Sequence, residues 1–445
     1  MVTMGIFLSA SARAQEIPRP SLSRAGGSPA SFSRPYNLKI GPIALTANAG
    51  LGITFVDNVS YSDLNKEGDI ILNPTLGITG VWQVTKLNNL DLKTTLGYTK
   101  YLQHPELDTQ TALVSPDSAI RLNLFVGDFK IVLHEQFSLQ EDPITDGGVS
   151  GVATLGRFTN TIGVSVLWDL NDVIWSLGYD HLNFIPTGKS ANANGTANGN
   201  LSTLDHSVDQ VSTAVMLKLT PTTRLGVEAT AGFSRYPNNP GADATNLSIG
   251  PYLDVQLTRY TQFILGAGYQ LYSSENRDNS GTPREFIATP GGLTPVVSSV
   301  NSGGSGSRNQ TGDGSSYYFN LAISHRLNSA YSERLTLGRD FQIGLLSDRT
   351  EVTFINYSSQ WTISRRFSLS SSLYFENARQ TGQGVRSSAS SQGDYQRLGA
   401  TLNTGYQLSK KLAVNLSYQY TRKLSDVPSL QYSQNRFSIL FGYQF

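Results

Sequence analysis

Long segments in which apolar and polar residues alternate recur along almost the whole chain. In the first of them, Ile43, Leu45, Ala47, Ala49, Leu51, Ile53 and Phe55 alternate with Thr46, Asn48, Gly50, Gly52 and Thr54. A period of two places the two sets on opposite faces of a β-strand. These segments run for roughly 10–16 residues, whereas strands of soluble proteins usually have about 5–6 residues. The pattern therefore predicts an all-β protein made of unusually long strands.

About 18 such strands can be delimited, and we allow a range of about 16 to 18. They are predicted at 43–56, 69–85, 90–103, 118–126, 129–139, 156–170, 173–184, 204–219, 223–236, 244–257, 260–273, 315–327, 330–345, 351–364, 367–378, 394–408, 411–423 and 433–445. Short turns such as Gly127-Asp128 and Lys410-Lys411 mainly alternate with longer polar connections such as 140–154, 185–202 and 274–314. Turns at one end and long loops at the other are typical of outer-membrane barrels, whose turns face the periplasm.

Composition supports this class of protein and excludes others. Only 15% of the residues are charged, 42 are glycine, and the mean hydropathy is −0.22. The absence of any apolar run of about 18 residues excludes a bundle of transmembrane helices. The chain has no cysteine, which excludes disulfides and thiol chemistry, and its net charge of +1 gives no reason to expect nucleic acid as a partner.

A soluble β-sandwich would show a similar alternation, so the length and repetition of the strands decide between the two architectures. In hydrocarbon no water is available to the backbone N–H and C=O groups, and only a closed sheet pairs them all. The sequence therefore predicts a closed antiparallel transmembrane β-barrel of meander topology over residues 42–445. Aromatic residues near strand ends are expected to form girdles where the strands leave the membrane. They are Tyr98, Tyr101, Trp168, Trp175, Tyr269, Tyr272, Tyr418 and Tyr420.

The two ends of the chain predict a targeting signal and a closing strand. A short apolar stretch precedes Ala12-Arg13-Ala14, which predicts a secretory signal peptide over residues 1–14. The usual basic region before that stretch is missing, so a start truncated within the peptide stays open. Residues 15–41 are rich in Pro, Ser, Arg and Gly and predict a disordered periplasmic segment. We expect alternating aromatic residues of the last strand to close the barrel and to carry its assembly signal: Phe437, Phe441, Tyr443 and Phe445.

The polar face of the strands predicts the lining of a central lumen. A barrel of about 18 strands is too wide for side chains to fill it, so an aqueous channel is expected. The candidate pore-lining residues are Lys93, Arg121, Lys130, His134, Lys218, Arg224, Glu228, Arg334, Asp340 and Arg397, together with Asp254 and Glu376. Their mixed charges indicate at most a weak preference for anions, and the alternative is a solvated wall of cross-strand charge pairs. The 274–314 segment either folds inward and narrows the lumen or forms a mobile outer loop.

No motif in the sequence predicts catalysis, a cofactor or a metal site. His134-Glu135 begins like a zinc-protease motif, but position 138 is Ser rather than His. His206 and Ser207 are adjacent, and alternation places them on opposite faces, where a hydrolase could not use them together. We expect His206 to be a surface residue at a strand start. The chain is therefore predicted not to be an enzyme, and an outer-membrane hydrolase is the least favoured alternative.

The opening strand Leu45–Phe55 runs into Val56-Asp57-Asn58-Val59-Ser60-Tyr61-Ser62-Asp63, and the chain ends at Phe445. In these features and in its general layout the chain resembles the β-barrel porin type 2 family of Gram-negative outer-membrane proteins. The resemblance implies a non-enzymatic channel or surface role, often linked to surface polysaccharide export. It supplies no catalytic residues.

The expected function is that of a porin-like outer-membrane channel for passive passage of small hydrophilic solutes, with a link to surface polysaccharide export left open. The alternative is a structural or partner-binding barrel whose lumen is occluded and whose outer loops are functional. The expected partners are outer-membrane lipid, the barrel-assembly machinery through the C-terminal strand, and a polysaccharide or small solute. Neither nucleic acid nor a cofactor is expected.

Overall fold

A computed structural model of the chain describes residues 36–144, 153–187, 201–239, 242–274, 285–289, 292–296, 314–343, 349–381, 394–426 and 428–445. The predicted signal peptide 1–14 and residues 15–35 of the predicted N-terminal segment lie outside the described residues. Most of the 274–314 connection lies outside them as well.

The described residues are almost entirely β-strands, as the alternation predicts. The strands are β1 (Leu38–Ile40), β2 (Ile43–Val56), β3 (Asp69–Gln83), β4 (Asn89–Gly97), β5 (Lys100–Tyr101), β6 (Leu113–Val114), β7 (Ala119–Val126), β8 (Phe129–Ile144), β9 (Ala153–Asp169), β10 (Val173–Pro186), β11 (His206–Thr220), β12 (Thr223–Arg235), β13 (Ala244–Thr258), β14 (Thr261–Ser274), β15 (Glu285–Thr289), β16 (Gly292–Val296), β17 (Gly314–His325), β18 (Tyr331–Ile343), β19 (Arg349–Thr362), β20 (Phe367–Thr381), β21 (Tyr395–Gln407), β22 (Leu412–Ser425) and β23 (Tyr432–Gln444). Short 3-10 helices span Pro105–Leu107, Leu201–Leu204 and Pro428–Leu430. No helix in the described stretches is long and apolar enough to cross a membrane.

Eighteen of these strands, β2–β4, β7–β14 and β17–β23, form one closed antiparallel barrel. Each pairs with the next one along the chain, and the last strand returns to the first through a register from Asn48↔Gln444 to Val56↔Arg436. The short strands β5 and β6 pair at the edges of β3 and of β4 and β8, and β15 and β16 form a separate hairpin. The predicted closed barrel of about 18 strands with meander topology is confirmed.

The connections differ at the two ends of the barrel. One end, here the turn end, carries tight turns such as Gly127-Asp128, where Gly127 has φ +57°. Two-residue hairpin turns need such positive φ angles, which cost glycine little. The other end, here the loop end, carries the longer connections, including 57–68 and 98–118. This asymmetry is the one expected from the sequence.

Strand β1 lies within the segment 15–41 that the sequence predicts to be disordered, so Leu38–Ile40 depart from that prediction. β23 reaches only as far as Asn48 of β2, and β1 pairs with the remaining edge, Leu38 with Leu45 and Ile40 with Ile43. The side chain of Asn37 continues the pairing, because its Nδ2 donates to the Ala47 carbonyl at 2.8 Å and its Oδ1 accepts from the Ala47 N–H at 3.0 Å. An otherwise open strand edge at the seam is thereby covered.

The outward face of the barrel is apolar and exposed, as in Leu76, Ile162 and Val227. Exposed aromatic side chains form two belts on this face. The turn-end belt contains Trp82, Phe129, Trp175, Trp361, Tyr406 and Tyr443, and the loop-end belt contains Phe55, Tyr179, Phe233, Tyr269, Tyr317, Phe375, Tyr418 and Phe437. An apolar band between two aromatic belts is typical of barrels that span the bilayer of an outer membrane. The chain is therefore a β-barrel of the Gram-negative outer membrane.

The girdle prediction is wrong for two of its tyrosines. Tyr272 is buried on the inner face, and Tyr101 packs against the buried residues Val56, Val59 and Ile71 at the loop end. Tyr272 is three positions from Tyr269, and an odd spacing places two strand residues on opposite faces. All four tryptophans lie beside turns at the turn end, and Trp168 stacks on Phe129 with ring centroids 5.1 Å apart.

Glycine on the inner face sets how closely neighbouring strands approach. At Gly250 an added Cβ would overlap the carbonyl oxygen of Ala267 and lie 2.6 Å from the Cα of Gly268, both backbone atoms of β14. At Gly52, on the same inner face, the nearest atom to an added Cβ is the Cβ of Asn73 at 3.4 Å.

We expect Gly250→Ala to destabilise the barrel by about 1–3 kcal/mol, because the paired strands must separate to admit the methyl group. Gly52→Ala is the matched control and should be neutral or slightly stabilising. Urea unfolding of the refolded proteins in lipid vesicles, followed by tryptophan fluorescence, measures both. Equal stability of the two variants would contradict the prediction.

Phe437, Phe441 and Tyr443 lie on the outward face of β23, and Phe445 directly follows that strand. Whether these residues carry an assembly signal stays a prediction. Tyr443 pairs with Leu412 on one side and Ala49 on the other, and the N–H of Phe445 donates to the Ala47 carbonyl at 3.2 Å. Deleting Tyr443–Phe445 should therefore open the seam at the turn end and abolish assembly. Loss of the heat-modifiable band on gels measures this, and a normal band in the deletion variant would refute it.

Candidate functional site in the barrel lumen

Contacts between strands that are not neighbours identify the inner face. The Tyr318 hydroxyl on β17 donates to Glu228 Oε1 on β12 at 3.3 Å, although β13 and β14 lie between these strands. His134 Nε2 on β8 lies 2.7 Å from Asp180 Oδ1 on β10, across β9. Side chains converge in this way only on the concave side of a curved sheet. The face opposite the exposed apolar side chains is therefore the lumen.

All ten candidate pore-lining residues lie on this inner face. Arg121 pairs in register with His134, and Lys218 pairs with Arg224, which pairs with Asp254. Five of the ten are on the wall from β4 to β11, four are on β12 and β18, and Arg397 is on β21. Whether they line an open pore is taken up below as a proposal.

Most of the basic candidates contact a carboxylate. The N–O distances are 3.2 Å for Lys93–Asp117, 2.7 Å for His134–Asp180, 2.6 Å for Lys218–Asp169, 3.8 Å for Arg224–Asp254 and 2.7 Å for Arg397–Glu376. Opposite charges this close cancel most of each other's field in the lumen. The pairing favours the alternative of a wall of charge pairs and gives little support to an anion preference.

Three other candidates make polar or aromatic contacts of different kinds. Lys130 lies over the Phe125 ring at 5.9 Å, and Arg334 Nη1 donates to Ser324 Oγ at 3.3 Å. Asp340 Oδ1 accepts from the N–H of Phe341 at 2.8 Å. The structure does not gather the ten residues into one ring, and they are distributed along the wall as separate pairs.

Sequence reasoning missed three carboxylates that complete these pairs: Asp117, Asp169 and Asp180. Asp180 shares the alternation of Ser176 and Gly178 on β10, and that pattern could have placed it in the lumen. Asp117 and Asp169 adjoin turns and loops, where alternation gives no direction. Gly163 makes room for the His134–Asp180 pair, because an added Cβ would overlap Asp180 and lie 2.8 Å from the His134 ring.

A compact cluster of charged residues lies on the inner face at the loop end of strands β20–β23. Arg397 and Glu376 are each only 13% exposed, and Lys423 is paired in register with Arg397. Lys423 lies 4.3 Å from the centre of the Tyr395 ring, and Arg397 lies 5.6 Å from that of Tyr374. Desolvated cations over aromatic faces gain a favourable interaction with the ring quadrupole. Lys423 and the tyrosines were missed, although the alternation of the last strands places them inward.

The connection 57–68 folds inward beside this cluster. Gln434 on the inner face of β23 donates to the Asn58 carbonyl at 2.6 Å, and Asn58 Nδ2 donates to the Ser433 carbonyl at 2.8 Å. Tyr61 packs edge-on against the buried Tyr432 with centroids 5.3 Å apart. The 57–68 connection is therefore held against the inner face of β23 at the loop end. Of the 274–314 segment, the structure describes Ser274, strands β15 and β16, and Gly314. The rest of this segment lies outside the described residues.

His104 joins the 57–68 connection to the next one along the chain. Its Nδ1 lies 2.9 Å from Asp69 Oδ2 and its Nε2 lies 3.2 Å from Glu67 Oε2. Asp69 also accepts the N–H groups of Leu102, Gln103 and His104 at 3.0–3.1 Å. The hydrogen bond to the Asp69 carboxylate, with the charges of Glu106 and Glu67, raises the pKa of His104. Its charged form therefore links the two loops.

The expectation that His206 is a surface residue is wrong. Its ring is buried between Phe184 and Tyr236, with centroids 4.9 and 4.6 Å away, and its Nδ1 lies 2.7 Å from the Leu204 carbonyl. Alternation sends it inward, and the aromatic neighbours come from the adjacent strand β10 and from the end of β12. No group of three potential metal ligands occurs in the described stretches.

Comparisons with known proteins found distant likenesses to solved structures. No family model and no curated protein sequence matches it. It is similar to a BenF-like porin from Pseudomonas fluorescens Pf-5, at 8% identity and TM-score 0.44 over 90% of this chain and 99% of that one. It is also similar to Pseudomonas aeruginosa OccK2 (OpdF), solved with glucuronate, at 10% identity and TM-score 0.43 over 90% and 98% of the two chains. Membership of the β-barrel porin type 2 family stays a prediction.

The charged His104 should hold the two loops together only below its own pKa. A group whose pKa is raised on folding stabilises the folded form fully below its unfolded pKa of about 6.5, and this contribution is lost as the pH rises through the folded pKa. Limited proteolysis within residues 98–112 should therefore become faster as the pH rises through the folded pKa of His104. His104→Gln should remove the pH dependence, and His325→Gln at the turn end should keep it. An unchanged pH profile in His104→Gln would contradict this role.

Proposed function

We propose that the barrel is a porin-like channel for the passive passage of small hydrophilic solutes across the outer membrane. The observation that carries this proposal is the way in which inner side chains lie along the wall. Asn48 lies over Gly77, Thr75 over Gly50, and Asn246 over Gly232. Side chains that lie over a glycine of the next strand do not reach toward the barrel axis.

The number of strands supports the same proposal. Barrels of about 16–18 strands are wide enough to leave an aqueous channel unless a loop or a domain fills it. The inner wall is polar, and its charges are mostly paired, so small hydrophilic solutes meet no strong electrostatic barrier. No catalytic role is part of this proposal.

A second candidate, a barrel with an occluded lumen and functional outer loops, is favoured by one observation. Connection 57–68 packs on the inner face of β23 through Asn58 and Tyr61, and the 3-10 helix Pro105–Leu107 follows within the neighbouring connection. If these loops meet the opposite wall, the lumen is closed at the loop end. A role in surface polysaccharide export, which the family resemblance implies, is compatible with either candidate.

Single-channel conductance in a planar bilayer distinguishes the two candidates. For an open channel we expect stable conductance steps in KCl from the refolded wild-type chain. Asn58→Ala removes the side-chain hydrogen bond that anchors the 57–68 loop to Ser433 and a second one within the loop to Ser62, each worth about 0.5–1.5 kcal/mol. It should raise the conductance or its noise only if that loop narrows the path.

Absence of conductance in the wild type, with a normal heat-modifiable barrel, would refute the open channel. Steps that appear only in Asn58→Ala would then establish the occluded barrel, with loop 57–68 as the obstruction. Gln83→Ala is the matched control, because Gln83 is a polar residue whose side chain contacts only the turn-end connection, at Thr85 and Asn88.

A further inference from the structure

The inner wall is divided into two sectors that differ in charge. Seven neighbouring strands, β19–β23, β2 and β3, are joined through the seam between β23 and β2. On their inner faces, from the turn end up to Arg436 and the Arg397–Glu376–Lys423 cluster, no side chain of the described strands is charged. We call this part of the wall the neutral sector.

Charged inner residues between the two ends of the barrel lie on nine of the other eleven strands, and the inner faces of β14 and β17 carry none. Nine of the ten candidate pore-lining residues are there, and Arg397 is the exception. Their charge pairs occur along the height of this wall, from Lys218–Asp169 beside a turn to His134–Asp180 further along β10. A solute in the lumen therefore faces ions on one side and uncharged polar groups on the other.

A continuous row of hydroxyl and amide groups crosses the neutral sector. Register places six residues side by side on six successive strands: Gln360, Ser370, Asn403, Ser417, Ser438 and Thr54. Asn403 Nδ2 donates to Ser370 Oγ at 3.4 Å, and the hydroxyls of Thr54 and Ser438 are 2.9 Å apart across the seam. The row thus continues over the junction between the last strand and the first.

Four of these six groups remain accessible, whereas Thr54 and Asn403 are buried. Ser370, Ser417 and Ser438 are half-buried rather than buried. In the adjacent row toward the turn end, Ser368 Oγ and Asn415 Oδ1 would lie 2.8 and 2.9 Å from a Cβ on Gly405. Glycine between polar neighbours leaves the hydroxyl and amide groups lying along the wall with hydrogen-bonding capacity toward the lumen.

We propose that the neutral sector is the path of a neutral polyhydroxylated solute, a small saccharide or polyol, through the barrel. Such a solute exchanges its hydrogen bonds to water for hydrogen bonds to Ser, Thr, Asn and Gln at little net cost. Along the rest of the wall, the solute would have to displace water from the charged side chains, and removing water from charged groups costs free energy. This proposal rests on the proposed channel function and adds the class of solute and the side of the lumen that it follows.

The test compares two pairs of substitutions of similar size on the two sectors. Ser370→Leu with Ser417→Leu removes two hydroxyls from the neutral row. Ser165→Leu with Thr230→Leu is the control, because these inner residues belong to a hydroxyl row that lies between charged rows. Full-length proteins are reconstituted in phospholipid vesicles, and swelling in sucrose is measured beside single-channel conductance in KCl.

We expect the neutral-sector variant to slow sucrose-driven swelling roughly threefold to tenfold, the factor expected from the loss of about one hydrogen bond. The control variant should change swelling by less than about twofold, since it narrows the lumen by a similar amount without touching the neutral row. Equal slowing by the two variants, or greater slowing by the control, would overturn the proposal.

Two further measurements keep the result interpretable. If the leucine variant of the neutral sector does not form a heat-modifiable barrel, Ser370→Val with Ser417→Val removes the same hydroxyls with less added volume, and the same swelling criterion applies. A wild type that neither conducts KCl nor swells in sucrose would refute the channel itself. Conductance and swelling in the wild type with equal effects of both variant pairs would refute only the assignment of the neutral sector.

Discussion

The structure depends on the pairing of every backbone N–H and C=O group that lies within the hydrocarbon. In water an unpaired strand edge is solvated, but in lipid each unpaired group costs several kcal/mol (about 4–8 by transfer to alkane). The pairing of β2 with β23 removes the two edges that an open sheet would leave, and it joins residues at opposite ends of the sequence. β1 and the side chain of Asn37 extend the same pairing where β23 stops short of the start of β2.

Closure fixes the lumen, and glycine determines how the lumen is lined. Polar side chains such as Asn48 and Asn246 lie over glycines of neighbouring strands, so polarity is placed on the wall without filling the centre. Some charged side chains also lie over a glycine of the strand between them, as His134 and Asp180 do at Gly163. Pairing satisfies these ions locally, which leaves a wall with polar character and little net field. The uncharged sector beside the seam then provides hydrogen bonds without ion desolvation.

The loop end adds a second level of organisation. The Asp69 carboxylate accepts three backbone N–H groups and contacts the His104 ring. His104 also contacts Glu67 on the neighbouring connection. On the other side of the seam, Asn58 and Tyr61 pack on β23 beside the Arg397–Glu376 pair. The mouth is therefore shaped by contacts between the first two long connections and the last strands. The contacts of Asn58 and Tyr61 with β23 exist only because closure brings the ends of the chain together.

The sequence by itself determined the fold class, the approximate bounds of the eighteen strands, the alternation of short and long connections, and the inward direction of all ten candidate lining residues. It could do so because a strand's period of two is a local property: Lys218 and Arg224 face inward whatever their partners are. What only the tertiary structure decided depends on proximity between distant residues. The partners Asp117, Asp169 and Asp180, the burial of His206 between Phe184 and Tyr236, the inward fold of loop 57–68 and the neutral sector across the seam all arise from strand register and curvature. Register relates residues on different strands, and a pattern that repeats within each strand carries no information about it.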